Sequence, residues 1–198
     1  MYDLVVIGAS WGGLDAVGRV LAGFPAEVDL PIVVAQHRHP DSLDATLRGL
    51  LGSQIGRPVV DVEDKLEIEA GRVYLAPPDY HLLVERGSFA LSVDERVKFA
   101  RPSIDVLFHS AADAYGAGVI GVILTGANED GAAGLAEIKE RGGVAIIQDP
   151  TGAARRAMPD AALAATVADA VLPLDEIGPF IYGLWMKPAR ASKRTCIQ

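Results

Sequence analysis

Short, continuous apolar runs alternate along this chain with longer stretches whose apolar residues recur at helical spacing. Leu4–Ile7 is a β-branched run stopped at Gly8. Gly12–Leu21 follows, with Leu14, Val17, Val20 and Leu21 on one helical face. The exchange repeats through a strand at 31–36 (PIVVAQ) and a helix over 41–51 carrying Leu43, Leu47, Leu50 and Leu51. It resumes with helix 103–115, strand 119–124 (VIGVIL), helix 131–141 and strand 144–147. Helix 159–165, with Pro159 in its first turn, strand 170–172 and helix 173–183 complete it. Such alternation specifies an α/β fold: a doubly wound, mostly parallel sheet with helices on both faces. The middle reads differently. Segments 72–76 and 81–84 are short strands split by Pro77-Pro78-Asp79, and 88–93 follows an Glu85-Arg86-Gly87 turn. That pattern predicts an antiparallel hairpin region at an edge of the parallel core or on top of it.

With 198 residues, 50% of them hydrophobic, the chain is long enough for one self-sufficient core, expected over 1–185. The remainder, 186–198, carries Lys187, Arg190, Lys193 and Arg194 with no acid, and reads as a basic, solvated tail. A single cysteine, Cys196, excludes an intramolecular disulfide framework and a cysteine-based zinc site, and favours a reducing, cytoplasmic setting. No two histidines stand at a helical metal-binding spacing, so no metal site is expected. A net charge of −8 argues against nucleic acid, which demands a basic footprint. No apolar run is long enough to insert in a membrane, and Asp3 and Gly8 break the pattern of a secretory leader.

In open α/β sheets, ligands bind beyond the carboxyl ends of the strands. Three such ends here carry reactive side chains. The first strand runs into Gly8-Ala9-Ser10-Trp11-Gly12-Gly13, the second into Gln36-His37-Arg38-His39, and VIGVIL into Thr125-Gly126-Ala127-Asn128-Glu129-Asp130-Gly131. Ser10, His37 and Asp130 therefore emerge on one side of one sheet, as nucleophile, base and orienting carboxylate of a serine hydrolase. Gly8-x-Ser10-x-Gly12 has the spacing of a nucleophile elbow, in which flanking glycines permit a sharp strand-to-helix turn. Blander readings compete. The glycine-rich turn is compatible with a phosphate loop, although it lacks the G-x-G-x-x-G spacing and a following Lys-Ser/Thr pair. Asp130 is a good N-cap for the helix after it. His39 and His109 read as structural or surface residues, and His81 as a rim residue.

At this point the motifs become recognisable. GASWGGLDAV (8–17), QHRHP (36–40), RVYLAPPDYHLLV (72–84), RPSIDVLFHSAADAYG (101–116) and GVILTGANEDGAAGLAEIKERGG (121–143) occur in the order seen in chemotaxis protein-glutamate methylesterases of the CheB type. Ile147-Gln148-Asp149 and Met158-Pro159 extend that resemblance to about residue 183. It implies a three-layer α/β/α sandwich with an antiparallel hairpin. It also implies a catalytic triad of Ser10, His37 and Asp130. Trp11 and Ala127 are oxyanion-hole or substrate-side candidates, and no cofactor is implied. The implied reaction is hydrolysis of glutamyl methyl esters of methyl-accepting chemotaxis receptors, releasing methanol, with deamidation of glutamines by the same chemistry. The implied partner is a methylated chemoreceptor. Because the likeness starts at residue 3, a domain without its own receiver module is expected, with a separate response regulator acting in trans as one option. Trp11 stands where the family commonly has threonine, and Ala127-Asn128 depart from its usual Gly-Met-Gly-x-Asp-Gly loop. These departures are expected to reshape the ester site. The competing readings are a hydrolase of another protein or small ester, and a non-catalytic binding module on the same fold.

Overall fold

The structure, a computed structural model, describes residues 2–25, 27–37, 48–49, 51–53 and 55–186. Its strands are β1 (Leu4–Ala9), β2 (Ile32–Gln36), β3 (Val59–Asp61), β4 (Val73–Leu75), β5 (His81–Glu85), β6 (Ser88–Ser92), β7 (Val119–Ile123), β8 (Val144–Gln148) and β9 (Ala170–Leu172). Its named helices are α1 (Gly13–Ala22), α2 (Ile104–Tyr115), α3 (Ala132–Glu140), α4 (Ala157–Ala165) and α5 (Leu174–Trp185). Seven strands form one sheet in the order β3-β4-β2-β1-β7-β8-β9, every pairing parallel. β5 and β6 form a separate antiparallel pair.

Two hydrophobic cores follow from the two faces of this sheet. Side chains alternate along each strand, so Val5, Ile7 and Ala9 of β1 face one layer while Leu4 and Val6 face the other. The first layer is closed by Val17, Val20 and Leu21 of α1 with Ile177 and Ile181 of α5. The second is closed by Ile104, Leu107 and Phe108 of α2, Leu135 and Ile138 of α3, and Met158 of α4. Burying each such aliphatic side chain contributes roughly 1.5–3 kcal/mol. The result is the three-layer α/β/α sandwich expected. The hairpin rests on α2, where Ser110 Oγ accepts from Val84 N–H at 3.0 Å and Tyr115 OH from Gly87 N–H at 3.0 Å.

Most expected elements fall within a residue or two of their positions. Segment 72–76, grouped with the hairpin from its sequence, instead supplies β4 of the parallel sheet, between β2 and β3. Its reading failed because three buried residues carry no signal of strand direction. β3 had no counterpart in the sequence reading; its residues are only half-buried and follow Pro58. The helix expected over 41–51 falls largely outside the described residues, although Arg48, Gly49 and 51–53 are helical. Arg38, His39 and the tail from 187 onward also lie outside them. Among the described residues no helix is long and apolar enough to cross a membrane.

Candidate active site

The helices that follow the adjacent strands β1 and β7 pack on opposite faces of the sheet, so a crevice opens between the ends of those strands. Everything of chemical interest collects there. Ala9 of β1 and Gln36 of β2 are register partners, so Ser10 and His37 leave the sheet side by side. Their backbones stay joined, with His37 N–H donating to Ala9 O at 3.0 Å. Gln36 fastens both: its Nε2 donates to Ser10 O at 2.7 Å and to His37 O at 3.1 Å. The turn after Ser10 is tight. Ser10 N–H donates to Thr125 O at 2.9 Å, Gly13 N–H donates to Ser10 O at 2.8 Å, and Gly12 takes φ +77°. A side chain at Gly12 is strained by that backbone angle, and its Cβ would lie 2.6 Å from Ala154 Cβ. Gly8 serves differently from the expected turn role: it lies within β1, and a Cβ there would overlap Ile104 Cγ2 at the start of α2.

Asp130 comes from the long connection after β7 and reaches across the end of β1. Its Oδ2 lies 2.8 Å from His37 Nε2. The carboxylate is fully buried, and it is held by more than the histidine. Ile104 N–H donates to Oδ2 at 2.7 Å, Asp105 N–H to Oδ1 at 3.1 Å, and Ser103 Oγ to Oδ1 at 2.9 Å. These donors are the exposed first turn of α2, where the helix dipole also favours negative charge. Burial alone pushes this carboxyl up. The hydrogen bond to His37 and the N–H groups of Ile104 and Asp105 outweigh it, and hold Asp130 below the ordinary carboxylate range. Asp130 therefore caps a helix, but α2 rather than α3, whose own N-cap is Gly131 without a side-chain bond.

With Nε2 engaged by the carboxylate, Nδ1 is the ring nitrogen that remains for a neighbour. Among the described residues Ser10 Oγ makes no hydrogen bond, and neither does the backbone N–H of Trp11 or of Ala127. A hydroxyl, an open imidazole nitrogen and unsatisfied amide donors thus stand around one crevice. A cavity of about 170 Å³, lined by His37, Asn128 and the 96–102 segment, opens beside it. Lys98 ties that wall down, with Nζ 3.0 Å from Asp105 Oδ2 and 3.2 Å from Glu129 O. Phe99, at φ +65°, is almost wholly exposed at its edge.

Sequence reasoning missed the supporting residues. Ser103, Thr125 and Gln36 are buried polar side chains serving the crevice, and only their proximity to strand and helix ends hinted at it. His81 is buried rather than at a rim: its Nδ1 accepts from Ser103 N–H at 3.2 Å and its Nε2 donates to Glu95 O at 3.0 Å. His109 pairs with Glu137 between α2 and α3, away from the crevice.

A doubly wound α/β domain with a hydroxyl, an imidazole and a buried carboxylate gathered at its switch point is built as a hydrolase. The family model for the CheB methylesterase matches residues 5–181, and the chain belongs to that family. A provisionally named protein-glutamate methylesterase/protein-glutamine glutaminase of Leptospira interrogans is 47% identical over 177 residues, 89% of this chain and 91% of that one. The protein-glutamate methylesterase/protein-glutamine glutaminase 1 of Hahella chejuensis is 41% identical over 88% of this chain, and this chain spans only 49% of its length. The protein-glutamate methylesterase FrzG of Myxococcus xanthus is 40% identical over 89% of this chain and 53% of its own. Among solved structures, the Thermotoga maritima CheB methylesterase catalytic domain superposes with a TM-score of 0.87 at 33% identity, covering 93% of this chain and 99% of that one.

Proposed function

We propose that this domain is a serine carboxylesterase that hydrolyses the γ-methyl esters of glutamate side chains in methyl-accepting chemotaxis receptors. Ser10 Oγ attacks the ester carbonyl while His37 Nδ1 takes its proton. Asp130 accepts the Nε2–H bond throughout, fixing the tautomer and stabilising the imidazolium. The oxyanion is met by the N–H groups of Trp11 and Ala127. The carbon–oxygen bond to the methoxy group then breaks, and His37 returns the proton so that methanol leaves. The glutamyl ester on Ser10 is cleaved by water, which His37 deprotonates, regenerating the hydroxyl and leaving a glutamate carboxylate. A glutamine amide follows the same course with ammonia as the leaving group.

The observation that carries this reading is the 2.8 Å bond between His37 and a fully buried Asp130, one strand across from Ser10. It is supported by the names of the methylesterase/glutaminase relatives. The experiment is methanol release from methylated receptor membranes by wild type and Ser10→Ala in parallel. Release by wild type alone is expected. Release by both at similar rates removes Ser10 as nucleophile, and release by neither moves the substrate to another ester.

A further inference from the structure

Trp11 follows Ser10 directly and leaves its indole 63% exposed. The guanidinium of Arg155 lies over that ring, 5.5 Å from its centroid, within cation–π range. Both residues are rooted in one anchor. Thr125 Oγ1 donates to Trp11 O at 2.9 Å and accepts from Arg155 N–H at 2.9 Å, while Gly126 N–H donates to Arg155 O at 3.0 Å. Thr125 itself is buried at the end of β7, so this arginine starts from a fixed point beside the nucleophile turn.

Among the described residues, the other cations near the crevice are already engaged. Arg96 and Arg101 both meet Asp79, Lys98 meets Asp105 and Glu129, and Arg156 meets Asp160 at 2.6 Å. Arg155 has no carboxylate partner among the described residues. An exposed, partly ordered guanidinium with its donors unspent is suited to a carboxylate, which it can bind through two parallel hydrogen bonds. The rest of the molecule repels acids, because its net charge is −8. Recognition of an acidic segment therefore has to be local.

We infer that Arg155, stacked on Trp11, forms a carboxylate-binding subsite next to Ser10 that selects ester substrates flanked by acidic side chains. The inference rests on the ester hydrolysis proposed above and specifies the class of polypeptide that the site takes.

Two synthetic peptides test it, each carrying one γ-methyl glutamate, flanked in one by glutamates and in the other by glutamines. At low ionic strength wild type favours the acidic peptide by about fivefold in kcat/KM, the upper range for an exposed ion pair, and the difference lies in KM. Arg155→Lys, which keeps the charge but loses the paired hydrogen bonds, weakens that preference, and Arg155→Glu reverses it. A second readout needs no turnover. In a Ser10→Ala, Trp185→Phe protein the remaining tryptophan is Trp11, and its fluorescence reports binding of the unesterified forms of the same peptides. Preferential binding of the acidic peptide without hydrolysis of either ester upholds the subsite and overturns the proposed reaction. Equal binding of the two, or a preference untouched by Arg155→Glu, overturns the subsite even where both esters are hydrolysed.

Discussion

One oxygen of Asp130 serves two partners: Oδ2 lies 2.8 Å from His37 Nε2 and 2.7 Å from the backbone nitrogen of Ile104. The group that orients the imidazole is thereby the same group that closes the first turn of α2. Imidazole orientation and helix capping are not separable at this residue.

Asp130→Asn is accordingly expected to lower turnover by roughly 10⁴-fold, the loss seen when a triad carboxylate becomes an amide. An amide that donates to Nε2 forces the ring proton onto Nδ1, where it blocks proton transfer from Ser10. Steady-state hydrolysis of a methylated substrate measures this, and a loss under tenfold would remove Asp130 from the mechanism.

The same substitution changes the acid response. The Asp130 carboxyl titrates below its unfolded value of about 3.9, so its contribution to stability is complete above that pH and is lost as pH falls through the folded value. Urea unfolding of wild type and Asp130→Asn from pH 5 to pH 2 is expected to show a gap that narrows below about pH 4. A gap independent of pH contradicts the assignment.

Ser103 is fully buried; its Oγ accepts from Val106 N–H at 3.4 Å as the N-cap of α2 and donates to Asp130 Oδ1 at 2.9 Å. Ser103→Ala removes both bonds and is expected to cost about 1–2 kcal/mol. Turnover should fall as well, though far less than in Asp130→Asn, because Ile104 and Asp105 N–H still hold the carboxylate. Thermal unfolding with parallel kinetics reads both, and an unchanged midpoint counts against the capping role.

Gly12→Ala places a Cβ at φ +77° and against Ala154, at a cost of about 1–3 kcal/mol. The bend at 154–155 that carries Arg155 must move to accept it. A lowered melting temperature together with a reduced preference for acidic peptides is expected; a lowered melting temperature alone would place the strain elsewhere.

Much of this arrangement is legible in the sequence. Ser10, His37 and Asp130 each follow an apolar strand, and parallel strands deliver their ends to one side. What the residue pattern could not convey was contact at long range. Nothing near Asp130 in the chain indicates that its carboxylate meets the backbone of 104–105, so capping of the following helix was the natural local reading. His81 sits in the hairpin region and reads as a rim residue, yet it is buried because residue 95 and the start of α2 close over it. β4 carries too few residues to declare its direction, and only its pairing with β2 and β3 does so.

The register of β1 on β2 has one more implication. The spacing of the backbones at Ser10 and His37 is inherited from two hydrogen-bonded strands, whereas Trp11, Ala127 and Arg155 belong to connections outside the sheet. On the proposed mechanism, substitutions in those connections retune which polypeptide is admitted while the backbones at Ser10 and His37 keep their spacing. Lineages of this domain are thus free to diverge in preference without rebuilding the chemistry, and a chimera that exchanges only residues 126–129 and 153–156 between two relatives should carry the donor's selectivity on the recipient's rate.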